Sequence, residues 1–334
     1  MSKVAILGGG GWGTALSIVL SSKGVNVKVW EYDQKQCELV KASGKNEKFL
    51  AGVPVPQEVV FTSEISQAVR GSEVLVFAVP SHTLRGVARK LAKQELSLPL
   101  VVSATKGIED DSLMRMSEVL ADELPLPVRE RIVVLAGPSH AEEVSRGQPT
   151  TVVSACRDRA LAKHVQDLFS TGSFRVYTNE DVIGVELGVS TKNVIAIAAG
   201  ICDGVGYGDN TKAALMTRGL AEMMRLGLAL GAERETFFGL AGVGDLVATC
   251  LSKHSRNRYV GEEVGKGKSL ESVLSGMVMV AEGVRTTRST LHLAKRRDVE
   301  MPITEQIYNV LFEGKDAHSA IDELMSRELK PEMW

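Results

Sequence analysis

Lys3-Val4-Ala5-Ile6-Leu7-Gly8-Gly9-Gly10-Gly11-Trp12-Gly13-Thr14-Ala15-Leu16 is the stretch on which the fold turns. A short apolar run leads straight into a glycine turn of the pattern G-x-G-x-x-G, and a helix opens at Thr14. Each glycine has a mechanical task. Gly8 permits the tight turn, Gly10 lets the backbone approach a pyrophosphate, and Gly13 allows close packing of helix on strand. The helix start adds free N–H groups and a partial positive charge for phosphates. A glycine-rich turn alone is a weak sign. Between a first strand and a second that ends at Trp30, it predicts dinucleotide binding. Glu31 stands 18 residues past Gly13. There it could accept from both hydroxyls of a ribose and repel a 2′-phosphate. Alternatively Glu31 points to solvent while Tyr32 or a nearby lysine meets the adenosine, so the choice between NAD and NADP stays open.

Outward from the turn, strand-like runs recur at 25–30, 73–79, 99–104, 132–136, 150–154 and 173–177, separated by helical stretches at 14–22, 82–93, 112–123 and 158–169. Most of these strands are nearly continuously apolar, as strands covered on both faces are. The alternation implies right-handed βαβ units and a mostly parallel, doubly wound α/β sheet of Rossmann type. After Asn179 the strand signals stop. Helical periodicity takes over at 181–199, 211–230, 270–275, 284–297, 304–312 and 317–327. The expected division is a dinucleotide-binding domain over 1–185 and an all-helical domain over 186–334, joined inside or beside a long helix. Residues 265–268 read as a solvated loop.

The chain's 334 residues suit about two domains. Lys and Arg number 39 and Asp and Glu 41, a formal net charge of −2, which argues against general binding to nucleic acid or anionic membranes. The N-terminal run lacks the apolar core of a secretory signal. The longest apolar candidate, 194–201, is closed by Asp203 and falls short of a bilayer span. Cys37, Cys156, Cys202 and Cys250 are scattered, so neither a disulfide framework nor a cysteine zinc site is expected. No histidine has ligand spacing, so no metal is expected. The default location is the cytoplasm.

Three segments stand at strand ends: Pro80-Ser81-His82, Thr105-Lys106-Gly107 and Gly137-Pro138-Ser139-His140. In open α/β sheets such ends ring one crevice. Lys106, emerging from a buried strand, is a candidate site residue, with an ordinary surface lysine as the alternative. Ser139 is expected both to offer a hydroxyl and to cap a helix at 141–144. Lys192 follows Gly188-Val189-Ser190-Thr191 in a helix apolar on most faces, so its ammonium is desolvated or lines a cleft. That makes it a candidate proton donor and acceptor near neutral pH. A structural lysine paired with Glu186 or Asp245 is the alternative. Gly242-Val243-Gly244-Asp245-Leu246 supplies an acid among glycines, and Ser252-Lys253-His254-Ser255-Arg256-Asn257-Arg258 supplies donors suited to a phosphate dianion or, equally, an exposed basic loop. For His140 and His254 a packing or capping role is expected, and for Met216, Met223 and Met224 a core role.

Taken together, these pieces closely resemble the bacterial-type NAD(P)-dependent sn-glycerol-3-phosphate dehydrogenases, over almost the whole chain. The specific stretches are Gly8–Thr14, Ala104-Thr105-Lys106-Gly107, Gly137-Pro138-Ser139, Lys192-Asn193-Val194-Ile195-Ala196, Thr217-Arg218-Gly219-Leu220-Ala221-Glu222, Gly242-Val243-Gly244-Asp245-Leu246, Ser255-Arg256-Asn257-Arg258 and Met301-Pro302-Ile303-Thr304-Glu305. The resemblance implies hydride exchange between NAD(P)H and dihydroxyacetone phosphate without a metal, in a cytoplasmic homodimer that feeds phospholipid synthesis. It implies that Lys192 is the general acid and base. Lys106, Gly137, Ser139, Lys192, Asp245, Ser255, Arg256 and Asn257 would hold glycerol 3-phosphate, with Asn193 and Thr249 around the reacting carbon. Gly11, Trp12, Tyr32, Lys106, Ala141, Arg256, Val280 and Glu282 would contact the cofactor, beside the turn's Gly8, Gly10 and Gly13 and the ribose candidate Glu31. Two departures stand out. Trp30-Glu31-Tyr32-Asp33 lacks the family's basic residue after the tryptophan, and Val189-Ser190-Thr191 replaces the usual Gly-Ala or Gly-Ser-Val before the lysine. A 3-hydroxyacid or 6-phosphogluconate-type dehydrogenase and a non-catalytic NAD(H)-sensing module are the rival readings.

Overall fold

The computed structural model describes residues 2–332; Met1, Met333 and Trp334 lie outside them. One sheet carries β1 (Lys3–Leu7), β2 (Asn26–Trp30), β3 (Val60–Thr62), β4 (Val74–Phe77), β5 (Leu100–Ser103), β6 (Ile132–Ala136), β7 (Thr150–Ala155) and β8 (Phe174–Asn179). Their spatial order is β3-β2-β1-β4-β5-β6-β7-β8. Neighbours from β3 through β6 pair in parallel. β7 runs antiparallel to β6 and parallel to β8. β1 sits between β2 and β4, with Leu7 level with both Trp30 and Phe77, so the glycine turn leaves the middle of the sheet's C-terminal edge. Both sheet faces are covered, by separate apolar clusters around Ile6 and Leu16 on one side and Leu7 and Phe77 on the other.

Seven of the eight strands fall where the apolar runs predict them. β3 was not expected: three residues are too few to show a period. The preceding helix Gln34–Ser43 shows no clear apolar period either, because its sequence is mostly polar. The helix expected from 112 begins only at Met116. Leu113, held at φ 61°, breaks it, since a left-handed residue cannot continue a right-handed helix.

Past Asn179 the described chain is helical, and the helix Val182–Val205 organises it. Asp181 caps its start by accepting from the Gly184 N–H at 2.8 Å. By length and composition this helix could cross a membrane, contrary to the reading of its apolar run as too short. It is instead a core helix, with 89% of its most apolar 18-residue window buried inside the protein. Helix Arg256–Gly265 crosses it backbone to backbone. A Cβ on Gly200 would stand 2.0 Å from the Arg258 carbonyl oxygen, and one on Gly261 would stand 2.0 Å from that of Ile197. The crossing sets Ser255, Arg256 and Asn257 beside the middle of the central helix. It also corrects the loop reading of this run: Arg256 opens a ten-residue helix, with Ser255 as its cap.

Candidate active site

A cleft of about 740 Å³ lies between the C-terminal edge of the sheet and the helical half. Its two ends are built differently.

The glycine turn forms one end. Gly8 is held at φ 121°, and a Cβ there would sit 2.7 Å from the Ala78 carbonyl oxygen. A Cβ on Gly13 would lie 1.8 Å from the Gly8 carbonyl oxygen, so Gly13 packs the helix down under the turn and does not itself line the cleft. Gly10 is the opposite case. A Cβ there would meet no protein atom within 4 Å, which leaves clear space above the backbone at the N-terminus of helix Gly11–Ser21. That cradle fits a pyrophosphate. Gly11, Trp12, Glu31, Tyr32, Ala141, Val280 and Glu282 line the cleft with it.

Glu31 does not point to solvent. It is only 4% exposed, its Oε1 accepts from the Asp33 N–H at 3.2 Å, and burial pushes its carboxyl up. Tyr32, by contrast, is exposed. Glu282 is tied down too. Its carboxylate accepts from the Ser81 N–H at 3.0 Å and from the Ser81 hydroxyl at 2.5 Å, and burial raises its pKa.

Buried charge forms the other end. The Lys192 ammonium donates to Asp245 Oδ1 at 2.9 Å and also to the Thr249 hydroxyl. The Lys106 ammonium donates to Asp245 Oδ2 at 2.9 Å and to the Gly137 carbonyl at 2.8 Å. One carboxylate therefore carries two lysines from opposite sides of the cleft. Burial brings the Lys192 pKa down to about 8, the Lys106 charge pulling the same way against Asp245. Burial alone would raise the Asp245 carboxyl, but Lys106 and Lys192 together hold it below its usual value. Lys106 is thus no ordinary surface lysine. Glu186, the other partner considered for Lys192, is taken by Arg115 and Ser117.

Beside Lys192, the Asn193 Oδ1 accepts from the Asn257 amide at 2.8 Å, and the Asn257 Oδ1 accepts from the Gly283 N–H at 2.8 Å. Ser255 is buried. Arg256 is exposed, and one of its N–H groups donates to the Val280 carbonyl at 2.9 Å. Gly137 takes part through its carbonyl and does not line the cleft. Ser139 lines it but does not cap helix Ala141–Val144: its hydroxyl donates back to the Gly137 carbonyl at 3.0 Å. His140 holds the cap position with no side-chain cap bond. Its ring faces that of His254 at 6.2 Å, and both line the cleft. Burial, with Lys192 and Lys106 nearby, lowers the His140 pKa. Sequence spacing gave no sign of the two rings, because they meet only across the fold. Their position beside Ser139 and Ser255 was the one available signal. Met223 is buried, while Met216 and Met224 pack against the same core from partly buried positions. Among the described residues no group of three or more His, Cys, Asp or Glu side chains is placed to hold a metal.

Comparison with known proteins finds one likeness running over both halves of the chain. The N-terminal family description of NAD-dependent glycerol-3-phosphate dehydrogenase matches residues 3–162, and the C-terminal one matches residues 181–322. The glycerol-3-phosphate dehydrogenase [NAD(P)+] of Chlorobium phaeobacteroides is 51% identical over 331 residues, 99% of either chain. That of Geobacter sulfurreducens is 51% identical over 332 residues, again 99% of either chain. The crystal structure of glycerol-3-phosphate dehydrogenase from Coxiella burnetii superposes with a TM-score of 0.93 at 36% identity, covering 98% of this chain and 99% of that one. With its glycine cradle, its twin-lysine carboxylate and a likeness running the length of both halves, this chain belongs to the family of NAD(P)-dependent glycerol-3-phosphate dehydrogenases.

Proposed function

We propose that Lys192 is the acid–base group with which this NAD(P)-dependent oxidoreductase interconverts dihydroxyacetone phosphate and sn-glycerol 3-phosphate. The observation that carries the reading is the shared carboxylate: Lys192 and Lys106 both bond Asp245 at 2.9 Å inside a cleft that ends in the glycine cradle.

When bound, the reduced nicotinamide supplies a hydride to the substrate's C2. The rest of the work falls to the chain's own side chains. As negative charge grows on the C2 oxygen, Lys192 donates to it and delivers the proton. Asp245 keeps the ammonium aimed and offsets its charge, and the Thr249 hydroxyl, which donates to the same Asp245 oxygen at 3.2 Å, accepts from the ammonium beside it. Arg256 and Ser255 fix the phosphate, and Lys106 adds a second cation at the reacting end. Asn257 contributes chiefly by support, because its Oδ1 and one of its N–H groups are already engaged by Gly283 and Asn193. Gly8, Gly10, Gly11 and Trp12 with Ala141, Val280 and Glu282 would hold the cofactor, and Glu31 and Tyr32 would meet its adenosine ribose. The buried Glu31 carboxylate stands where a 2′-phosphate would be repelled, which favours NADH over NADPH.

The division of labour follows the chain, with a dinucleotide-binding domain over 1–185 and a substrate and catalytic domain over 186–334. A homodimer in the cytoplasm, supplying glycerol 3-phosphate for phospholipid synthesis, accompanies this reading on the strength of family membership. Initial rates of dihydroxyacetone-phosphate-dependent oxidation of NADH and NADPH, measured side by side, test the proposal. Rapid turnover is expected, faster with NADH. No turnover with either cofactor, or turnover of 3-hydroxyacids instead, would overturn it.

A further inference from the structure

The central helix grips the nucleotide half at two points on one face. Glu186 and Ser190, four residues apart, lie one above the other on a helix. Ser190, buried to 1% exposure, accepts from the Gly107 N–H at 3.0 Å through its hydroxyl oxygen. Glu186 accepts from the Ser117 N–H at 2.7 Å, from the Ser117 hydroxyl at 2.6 Å and from Arg115 at 2.6 Å. Between these anchors, Ile108 and Arg115 pair as an isolated antiparallel bridge. The segment from Gly107 to Ser117 is therefore one closed loop, held to the central helix at both ends. Lys106 immediately precedes the first anchor, and Lys192 follows Ser190 by two residues.

We infer that Glu186 and Ser190 are positioning residues that clamp the 107–117 loop to the central helix and so hold Lys106 and Lys192 on opposite oxygens of Asp245. The inference rests on the proposed role of Lys192. Neither residue lines the cleft. Their effect passes through the lysines. The close fit of Gly107 supports the clamp from the other side, since a Cβ there would stand 2.6 Å from that of Ser81. With the Ser190 acceptor gone, the Gly107 N–H loses its partner and the loop has room to shift, carrying Lys106 away from Asp245. Lys192 would then have Asp245 more nearly to itself and one cation fewer beside it, and both changes raise its affinity for a proton. The other groups facing Lys192, namely Cys250 and Thr249 from the helix of Asp245 and His140 from the loop after β6, are untouched by the substitution.

The test reads Lys192 directly. Its acetylation by acetic anhydride, followed by mass spectrometry across pH on the cofactor-free full chain, gives its titration without any turnover. Ser190→Ala is expected to move that curve to higher pH and to lower kcat about tenfold, the scale of a small misplacement of catalytic groups. Ser190→Thr, which keeps the acceptor, should restore both. Should Ser190→Ala not fold, Glu186→Gln is read in the same way, with the same upward shift expected. A folded Ser190→Ala that titrates Lys192 at the wild-type pH overturns the clamp, even if its melting temperature falls. A wild type that titrates as described but does not turn over dihydroxyacetone phosphate overturns the proposed reaction and leaves the clamp standing.

Discussion

The two ends of the cleft solve opposite problems. At the glycine turn the chain removes side chains, so that bare backbone and the start of a helix face open cleft. At Asp245 it buries charged side chains and makes them satisfy one another. The first end is built by what is missing and depends on space. The second depends on electrostatics, since the buried Lys192 ammonium and the part-buried Lys106 ammonium balance their charge on one shared carboxylate. A substitution at the first should therefore act on binding, and one at the second on chemistry.

The sharpest way to break this contrast is Lys192→Ala. It should lower kcat by about 10²–10⁴-fold, the usual weight of a positioned proton donor, while the Kd for NADH measured by fluorescence titration stays near wild type. Retained turnover would remove Lys192 from the reaction. Gly10→Ala is the reciprocal experiment. Gly10 has an ordinary φ of −69° and free space about it, so the melting temperature should not move. The added methyl should nonetheless weaken NADH binding by about 10–100-fold, or roughly 1.4–2.8 kcal/mol. A variant that loses stability but keeps its affinity would show that the turn serves packing alone.

The contrast is sharpened next by pH. With Lys192 as the proposed acid–base group, reduction of the ketone needs it protonated and oxidation of the alcohol needs it neutral. With its pKa near 8, the reductive rate should fall roughly tenfold per pH unit above that value, and the oxidative rate should fall likewise below it. Parallel profiles in the two directions would contradict the assignment.

The smallest effect concerns a carboxylate outside the cleft. Glu222 is also buried, but the groups that hydrogen-bond it are the N–H groups of Ile303 and Thr304 and the Thr304 hydroxyl. Burial pushes it from 4.5 up to about 7, the reverse of Asp245 with its two lysines. A raised folded pKa means the native state binds the proton more tightly. This contribution to stability is complete below about pH 4.5 and is lost as pH rises through 7, at most about 3 kcal/mol. Thermal melts of Glu222→Gln against wild type should diverge across that window, with the wild type alone losing stability. Identical pH dependence would mean that Glu222 does not titrate there.

These contrasts also explain what could be read in the chain beforehand. The turn was legible because its determinants are consecutive: strand, glycines and helix lie within fourteen residues. Lys192 was legible because a lone cation in an apolar helix has few places to go. Its choice of Asp245 over Glu186 was not, since both acids are close enough in pattern and only the fold sends Glu186 to Arg115. Helix Arg256–Gly265 escaped because its two glycines and its charges imitate a loop; they make sense only against the central helix. The ring pair of His140 and His254 and the burial of Glu31 were likewise decided by neighbours distant in sequence, whereas the Ser139 hydroxyl turns back on Gly137 only two residues away.

The crossing of the central helix with helix Arg256–Gly265 bears on how freely the sequence can drift. Residues at a crossing this close take no part in chemistry and would look dispensable in any survey of polar groups. Yet a single methyl at Gly200 or Gly261 would fall 2.0 Å from a carbonyl oxygen of the partner helix. Relieving that overlap means prising the two helices apart, and Ser255, Arg256 and Asn257 ride on one of them while Lys192 and Asn193 ride on the other. The spacing between the proposed phosphate clamp and the proposed proton donor is thus written in glycines. Chemically blank positions tolerate the least change, and a conservative alanine there should cost activity as surely as a substitution in the cleft itself.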